Sequence, residues 1–239
     1  MSDQEASWPI PVLGFHHLDP DLDDYTSFHP EKYLDLLSIL AERFEFLTAS
    51  VAMSADRRIS TGRQPLVLTF DDAYANLSDP VLSGIKDFDA VGTIYTITGH
   101  VGGYNTWNRK CDYWSQHLDV AGLRDLAAAG MEIGSHTREH FNLAKLPAEV
   151  LSSELADSQE WLQDMFGTRA RSLAYPYGFH SANVRSAAAS LYDHAFTTTT
   201  KPGGTDVIRD RFRLRRFMVT RQMSVDEVLT GIDQLWGVS

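Results

Sequence analysis

The chain has 239 residues, 43% hydrophobic and 22% charged, which suits one large globular domain. With 32 acidic against 21 basic side chains the net charge is −11 and no stretch is a basic patch, which argues against nucleic acid or an anionic membrane as the main partner. Cys111 is the one cysteine, so no intramolecular disulfide is possible, and there is no apolar run of about 18 residues that would span a bilayer.

Residues 1–7 are polar and acidic and lack the build of a signal peptide, so a cytoplasmic location is expected unless a leader has been removed. The first strand is expected at 10–15, followed by a helix at 31–44 with Leu34, Leu37 and Leu40 at helical spacing. A polar loop at 53–64 leads into a strand at 66–70. Ser78 or Asp79 then caps a helix with Pro80 in its first turn. A strand at 91–97 precedes a glycine-rich loop at 101–117. The helix at 120–129 stops at Gly130, and a strand at 131–134 follows. The remaining expectations are a helix at 147–166 ending at Gly167, strands at 173–175, 194–199 and 214–219, and helices at 182–191 and 225–236. Continuously apolar strands alternating with helices imply a parallel sheet covered on both faces, most economically a distorted (β/α) barrel of seven or eight strands in a single domain.

Three strand ends carry chemistry. Leu68-Thr69-Phe70 runs into two adjacent carboxylates, Asp71 and Asp72, at the rim where parallel barrels keep their active sites. An isolated Asp pair more often caps a helix or opens a turn. Glu132-Ile133-Gly134-Ser135 runs into His136-Thr137-Arg138-Glu139-His140, where the spacing of four places two imidazoles on one side of a helical turn. Nine histidines make that spacing weak alone, but both clusters end strands and so converge on one rim. Two imidazoles and one carboxylate leave positions open for water and substrate, as a catalytic metal site requires. The third end is Tyr175-Pro176-Tyr177-Gly178, a tight turn that either is a turn only or aims the Tyr177 backbone N–H at the cavity as an oxyanion donor. Trp107 and Tyr104, on the glycine-rich loop, are candidates for stacking on a sugar ring.

These three motifs, in this order and spacing, resemble the polysaccharide deacetylases that share the NodB homology domain, carbohydrate esterase family 4, over roughly residues 10–220. The resemblance implies a NodB-like barrel and a metal-dependent hydrolase that removes N-acetyl groups from an amino-sugar, oligosaccharide or polysaccharide. It implies Asp71 as catalytic base and Asp72, His136 and His140 as ligands of one divalent ion. Zn²⁺ suits those ligands best, with Co²⁺, Ni²⁺ and Fe²⁺ also compatible. Two features depart from the family pattern. The arginine common before the Pro-Tyr turn is replaced by Ala174 and Tyr175, and no histidine follows His194 to serve as the late general acid. Leu13-Gly14-Phe15-His16-His17 instead looks like the element opening the poly-N-acetylglucosamine deacetylase branch. It implies His16 as the acid, with His17 in reserve, and Arg216 or Arg215 of the last strand as the residue orienting Asp71. Readings that stay open are O-deacetylation, deacylation of a small molecule, and a catalytically impaired glycan-binding protein.

Overall fold

In a computed structural model of the protein, residues 10–54, 57, 59–105, 114–198 and 210–237 are described. Ten strands occur among them: β1 (Val12–Phe15), β2 (His17–Leu18), β3 (Ser27–Phe28), β4 (Phe44–Leu47), β5 (Gln64–Phe70), β6 (Gly92–Thr96), β7 (Glu132–Ser135), β8 (Ser172–Ala174), β9 (His194–Phe196) and β10 (Phe217–Met218). The helices are α1 (Pro30–Arg43), α2 (Ala49–Ala52), α3 (Ser78–Phe88), α4 (Val120–Ala128), α5 (Ala148–Phe166), α6 (Ala182–Ala189) and α7 (Val225–Trp236).

The main sheet runs β10-β1-β5-β6-β7-β8-β9, with β4 beside β5, and every pairing is parallel. Its two ends approach each other. Leu214 bridges Phe196 of β9, with Thr197 N donating to Leu214 O at 2.8 Å, and three residues later Phe217 pairs with Leu13 of β1. The sheet therefore curls into the distorted barrel expected, with helices around it.

Side-chain parity sorts the strands into an outside and an inside, because successive residues of a strand face opposite ways. Leu13, Phe15, Leu66, Leu68 and Phe70 point outward and pack with Leu36, Leu37 and Leu40 of α1 and Val81 of α3. Leu173 and Ala195 do the same against Leu155 and Leu162 of α5 and Val184 of α6. The opposite parity, Val12, Val67, Tyr95, Ala174, Phe196 and Leu214, fills the interior with Leu47, Ala49 and Ala52. At the strand N-termini, Glu132 accepts hydrogen bonds from Ser50 N and Oγ and from Ser172 Oγ, tying α2 to β7 and β8.

Several boundaries differ from expectation. The first helix stops at Arg43, and Phe44 turns to φ −122° and starts β4. No glycine or proline marks the change, so the helical spacing of leucines runs straight into a strand. Neither β4 nor α2 is expected from the sequence pattern. The strand expected at 214–219 is regular only over Phe217–Met218. α3 has no side-chain cap, because the 3-10 turn Ala75–Leu77 leads directly into it. Among the described residues no helix is long and apolar enough to cross a membrane.

Candidate metal centre and active site

Parity also selects the site. Asp71 continues the inward row of Val67 and Thr69 beyond the end of β5, and Arg216 continues that of Leu214. The two meet in a bidentate ion pair, Nη1 to Oδ1 at 2.6 Å and Nη2 to Oδ2 at 2.7 Å. Arg216 is fully buried and also donates to Thr69 Oγ1 at 3.1 Å and Thr197 O at 3.2 Å, which fixes its plane. Burial by itself raises the Asp71 carboxyl, yet the Arg216 guanidinium outweighs it and holds the group well below the usual carboxylate range. Arg215, of the opposite parity, is on the exposed face and does not occupy this place.

One residue on, the chain turns. Asp72 has φ 67°, which swings its carboxylate beside the two imidazoles. Its Oδ1 lies 3.4 Å from His136 Nε2 and 3.4 Å from His140 Nε2, and all three residues are buried. His136 Nδ1 sits 2.7 Å from Ala174 O; a carbonyl only accepts, so Nδ1 carries the proton and Nε2 presents its lone pair. Burial lowers His136 to about 4 and holds His140 well below its ordinary value, so both rings are neutral, the state a metal ligand needs. Burial first, then the charge of Asp71, raises Asp72 to about 8. Asp72 Oδ1 is buried with no hydrogen-bond partner among the described residues. A divalent cation fits this group. It would satisfy that oxygen and supply the missing countercharge, and donors about 2.0–2.1 Å from a tetrahedral ion lie roughly 3.3 Å apart.

The two histidines do not ride on a helical turn as their spacing suggests. Thr137 and His140 both have positive φ, 68° and 59°, and the segment is a loop. It is held from outside: Thr98 N and Gly99 N donate to Thr137 O and Arg138 O, and Glu154 of α5 accepts from Arg138 N at 3.2 Å and Glu139 N at 2.9 Å. Six non-glycine residues among those described have positive φ, and five of them (Asp72, Ala73, Thr137, His140 and Tyr177) surround this centre. Such conformations persist only where the surroundings over-determine them, and they gather at functional sites.

His16 follows β1 and brings its Nε2 to 4.0 Å from Asp71 Oδ2. Burial lowers its pKa, against the opposing pull of Asp71. His17 is engaged elsewhere: its ring stacks on Tyr74 at 3.7 Å and its Nδ1 meets Asn76 Nδ2 at 3.1 Å. Tyr177 has φ 60° in the Pro-Tyr-Gly turn, and its ring lies 4.6 Å from that of His140. Tyr104 is exposed on the β6 loop. Trp107 and Cys111 lie outside the described residues. One contributor is not visible from sequence. His117, a lone histidine in a loop, is buried, stacks on Tyr74 at 4.9 Å and places Nδ1 2.7 Å from Asp72 O, bracing the turned residue.

A curled parallel barrel whose rim joins an Asp-His-His group to an ion-paired carboxylate is the NodB-like (β/α) architecture. Residues 58–194, more than half of the chain, match the family model for polysaccharide deacetylase. The chain belongs to that family. YxkH of Bacillus subtilis (strain 168) is 26% identical over 176 residues, 74% of this chain, and the match spans 58% of YxkH's own length. The poly-beta-1,6-N-acetyl-D-glucosamine N-deacetylase of Staphylococcus epidermidis is 21% identical over 210 residues, covering 84% of this chain and 70% of that protein. Among solved structures, the Streptococcus pyogenes deacetylase PplD in complex with acetate superposes with a TM-score of 0.77 at 21% identity, covering 93% of this chain and 97% of PplD.

Proposed function

We propose that this protein is a metal-dependent N-deacetylase that converts N-acetylamino-sugar residues of a glycan into free amines and acetate. The observation that carries the reading is the buried Asp72–His136–His140 group placed directly beside the Asp71–Arg216 pair. Family membership supports carbohydrate deacetylation, and the staphylococcal relative's name supports an amide of an amino sugar.

Asp72, His136 and His140 would hold one divalent ion, with Zn²⁺ the best match to two imidazoles and a carboxylate. Bound there, it supplies Lewis acidity to the acyl oxygen and makes water more acidic. Asp71 accepts the proton of the attacking water, and Arg216 fixes which carboxylate oxygen faces it. The Tyr177 N–H donates to the oxyanion; one such donor is worth on the order of 3 kcal/mol in the barrier. His16, 4.0 Å from Asp71, gives a proton to the departing amine, without which the amide C–N bond is slow to break. Tyr104 and Trp107 belong to the loop that would flank the sugar.

The test is hydrolysis of acetylated glucosamine oligomers by zinc-loaded and chelated protein. Activity is expected with the metal alone. The Asp71→Asn protein should keep about one metal per chain and lose turnover; a variant that loses the metal instead would mean that Asp71, not Asp72, is the ligand.

A further inference from the structure

Two parts of the proposed reaction, the base and the oxyanion turn, come from different strands, and both lean on Thr197. This residue follows β9 at the seam where the sheet closes, and its N–H donates to Leu214 O at 2.8 Å. Its carbonyl accepts from Arg216 Nε at 3.2 Å, and its hydroxyl donates to Gly178 O at 2.6 Å. A continuous series of hydrogen bonds therefore runs from Asp71 through Arg216 and Thr197 to the Pro-Tyr-Gly turn.

That turn needs support from outside. Gly178 N donates to Tyr175 O at 2.8 Å and Phe179 N to Pro176 O at 3.2 Å, which closes the turn on itself without fixing its tilt over the metal group. Tyr177 and Gly178 both have positive φ, 60° and 71°, and for a tyrosine such backbone persists only where neighbours impose it. Before the turn, Tyr175 N is held by Phe196 O at 3.0 Å. At its end the Thr197 hydroxyl holds the Gly178 carbonyl. The turn also lies flush on the same segment, since a Cβ added at Gly178 would come 2.8 Å from Thr198 N.

We propose that Thr197 is a positioning residue for the reaction: its hydroxyl sets the turn that presents the Tyr177 N–H, and its carbonyl sets Arg216, so that oxyanion donor and base are held as one unit. This rests on the deacetylase reading above and adds to it a residue that acts through its neighbours. Placement matters at this scale, because an error of about 1 Å in a reacting group costs on the order of 100-fold in rate.

The experiment compares Thr197→Val, which keeps the side-chain shape and removes the donor, with Thr197→Ser, which keeps the donor. In zinc-loaded protein acting on acetylated glucosamine oligomers, Thr197→Val should lower kcat about 10–100-fold with KM changed less than about twofold, and Thr197→Ser should recover most of that loss. Melting temperatures confirm that both variants fold. The acidic limb of the kcat/KM profile should stay in place, because valine keeps the carbonyl that Arg216 Nε uses. A limb displaced to higher pH would put the damage at Asp71. An unchanged kcat, or a loss that serine does not recover, would leave the hydroxyl a structural role alone. Either result overturns the proposal.

Hydrogen–deuterium exchange supplies a reading that needs no catalysis. The Gly178 and Phe179 amides should exchange about three- to tenfold faster in Thr197→Val than in the unmodified protein or Thr197→Ser, the loosening expected when one hydrogen bond is lost. Equal exchange in all three proteins overturns the proposal. If the unmodified zinc-loaded protein hydrolyses no acetylated sugar, the deacetylase reading fails by itself, and the exchange rates still decide whether Thr197 holds the turn.

Discussion

Both oxygens of Asp71 meet both terminal nitrogens of Arg216 where neither charge reaches water. Such a pair is costly to break from one side, because the surviving charge is left buried alone. Arg216→Met is therefore expected to cost about 3–5 kcal/mol of stability, read as a fall in melting temperature. The same change should move the acidic limb of the kcat/KM profile to higher pH. As the proposed base Asp71 would work as the carboxylate; with Arg216 gone, burial is opposed far less and raises its pKa, so the active form would be lost at a less acidic pH. A limb that stays in place would show that Arg216 does not tune Asp71. His16 invites a different test. If it protonates the leaving amine, His16→Ala should lose about 10²–10⁴-fold on an amide but far less on 4-nitrophenyl acetate, whose leaving group needs no proton. Equal losses on both substrates would assign His16 to positioning. Of these residues, Asp71, Asp72 and the two histidines stand out in the sequence because each cluster ends an apolar run. Arg216 is less visible: it lies 145 residues from its partner, and only strand parity separates it from Arg215.

Elements matter here through how they hold loops. The peptide N–H groups of Arg138 and Glu139, in the loop between His136 and His140, depend on one carboxylate, Glu154 in the first turns of α5. Glu154→Ala removes both acceptor bonds while leaving every ligand in place. Metal affinity is expected to fall about 10–100-fold, the usual consequence of losing an outer support, measured by competition with a chromogenic chelator. An unchanged affinity would mean that the contacts from Thr98 and Gly99 suffice. The reading of His136 and His140 as neighbours on a helical turn fails for a local reason. Thr137 and His140 adopt left-handed backbone that neither residue type advertises, and the partners that impose it come from the β6 loop and α5. The alternation of apolar runs showed which strands line the barrel. It did not show β4, whose Phe44-Glu45-Phe46 pattern is fused to the end of α1 with no breaker between them.

For the molecule as a whole, neutral buried imidazoles tie stability to pH. Burial lowers His17 to about 4 and His194 to about 4, and His194 has neither ring nitrogen hydrogen-bonded among the described residues. In the unfolded chain both titrate near 6.5. As pH falls from about 6.5 towards 4 the unfolded state takes up protons that the folded state refuses, so stability present above that window is lost within it. Each group contributes roughly 3 kcal/mol. The melting temperature should drop steeply across that range, and His194→Gln should flatten part of the slope; a variant with the original slope would exonerate His194. Neither histidine's burial is legible from a single sequence, since a histidine in an apolar run reads the same whether it is a ligand, a core residue or a rim group.

The closure of the barrel by its last strand has a consequence for synthesis. On a ribosome adding roughly 5–20 residues per second, Asp71 emerges on the order of ten seconds before Arg216. Throughout that interval the carboxylate on the inner face of β5 lacks its countercharge, and desolvating it alone is prohibitive. The nascent sheet either keeps its interior wet or holds Asp71 protonated until the strand carrying Arg216 arrives. Sealing the barrel and pairing Asp71 are thus one event, timed by the arrival of Arg216.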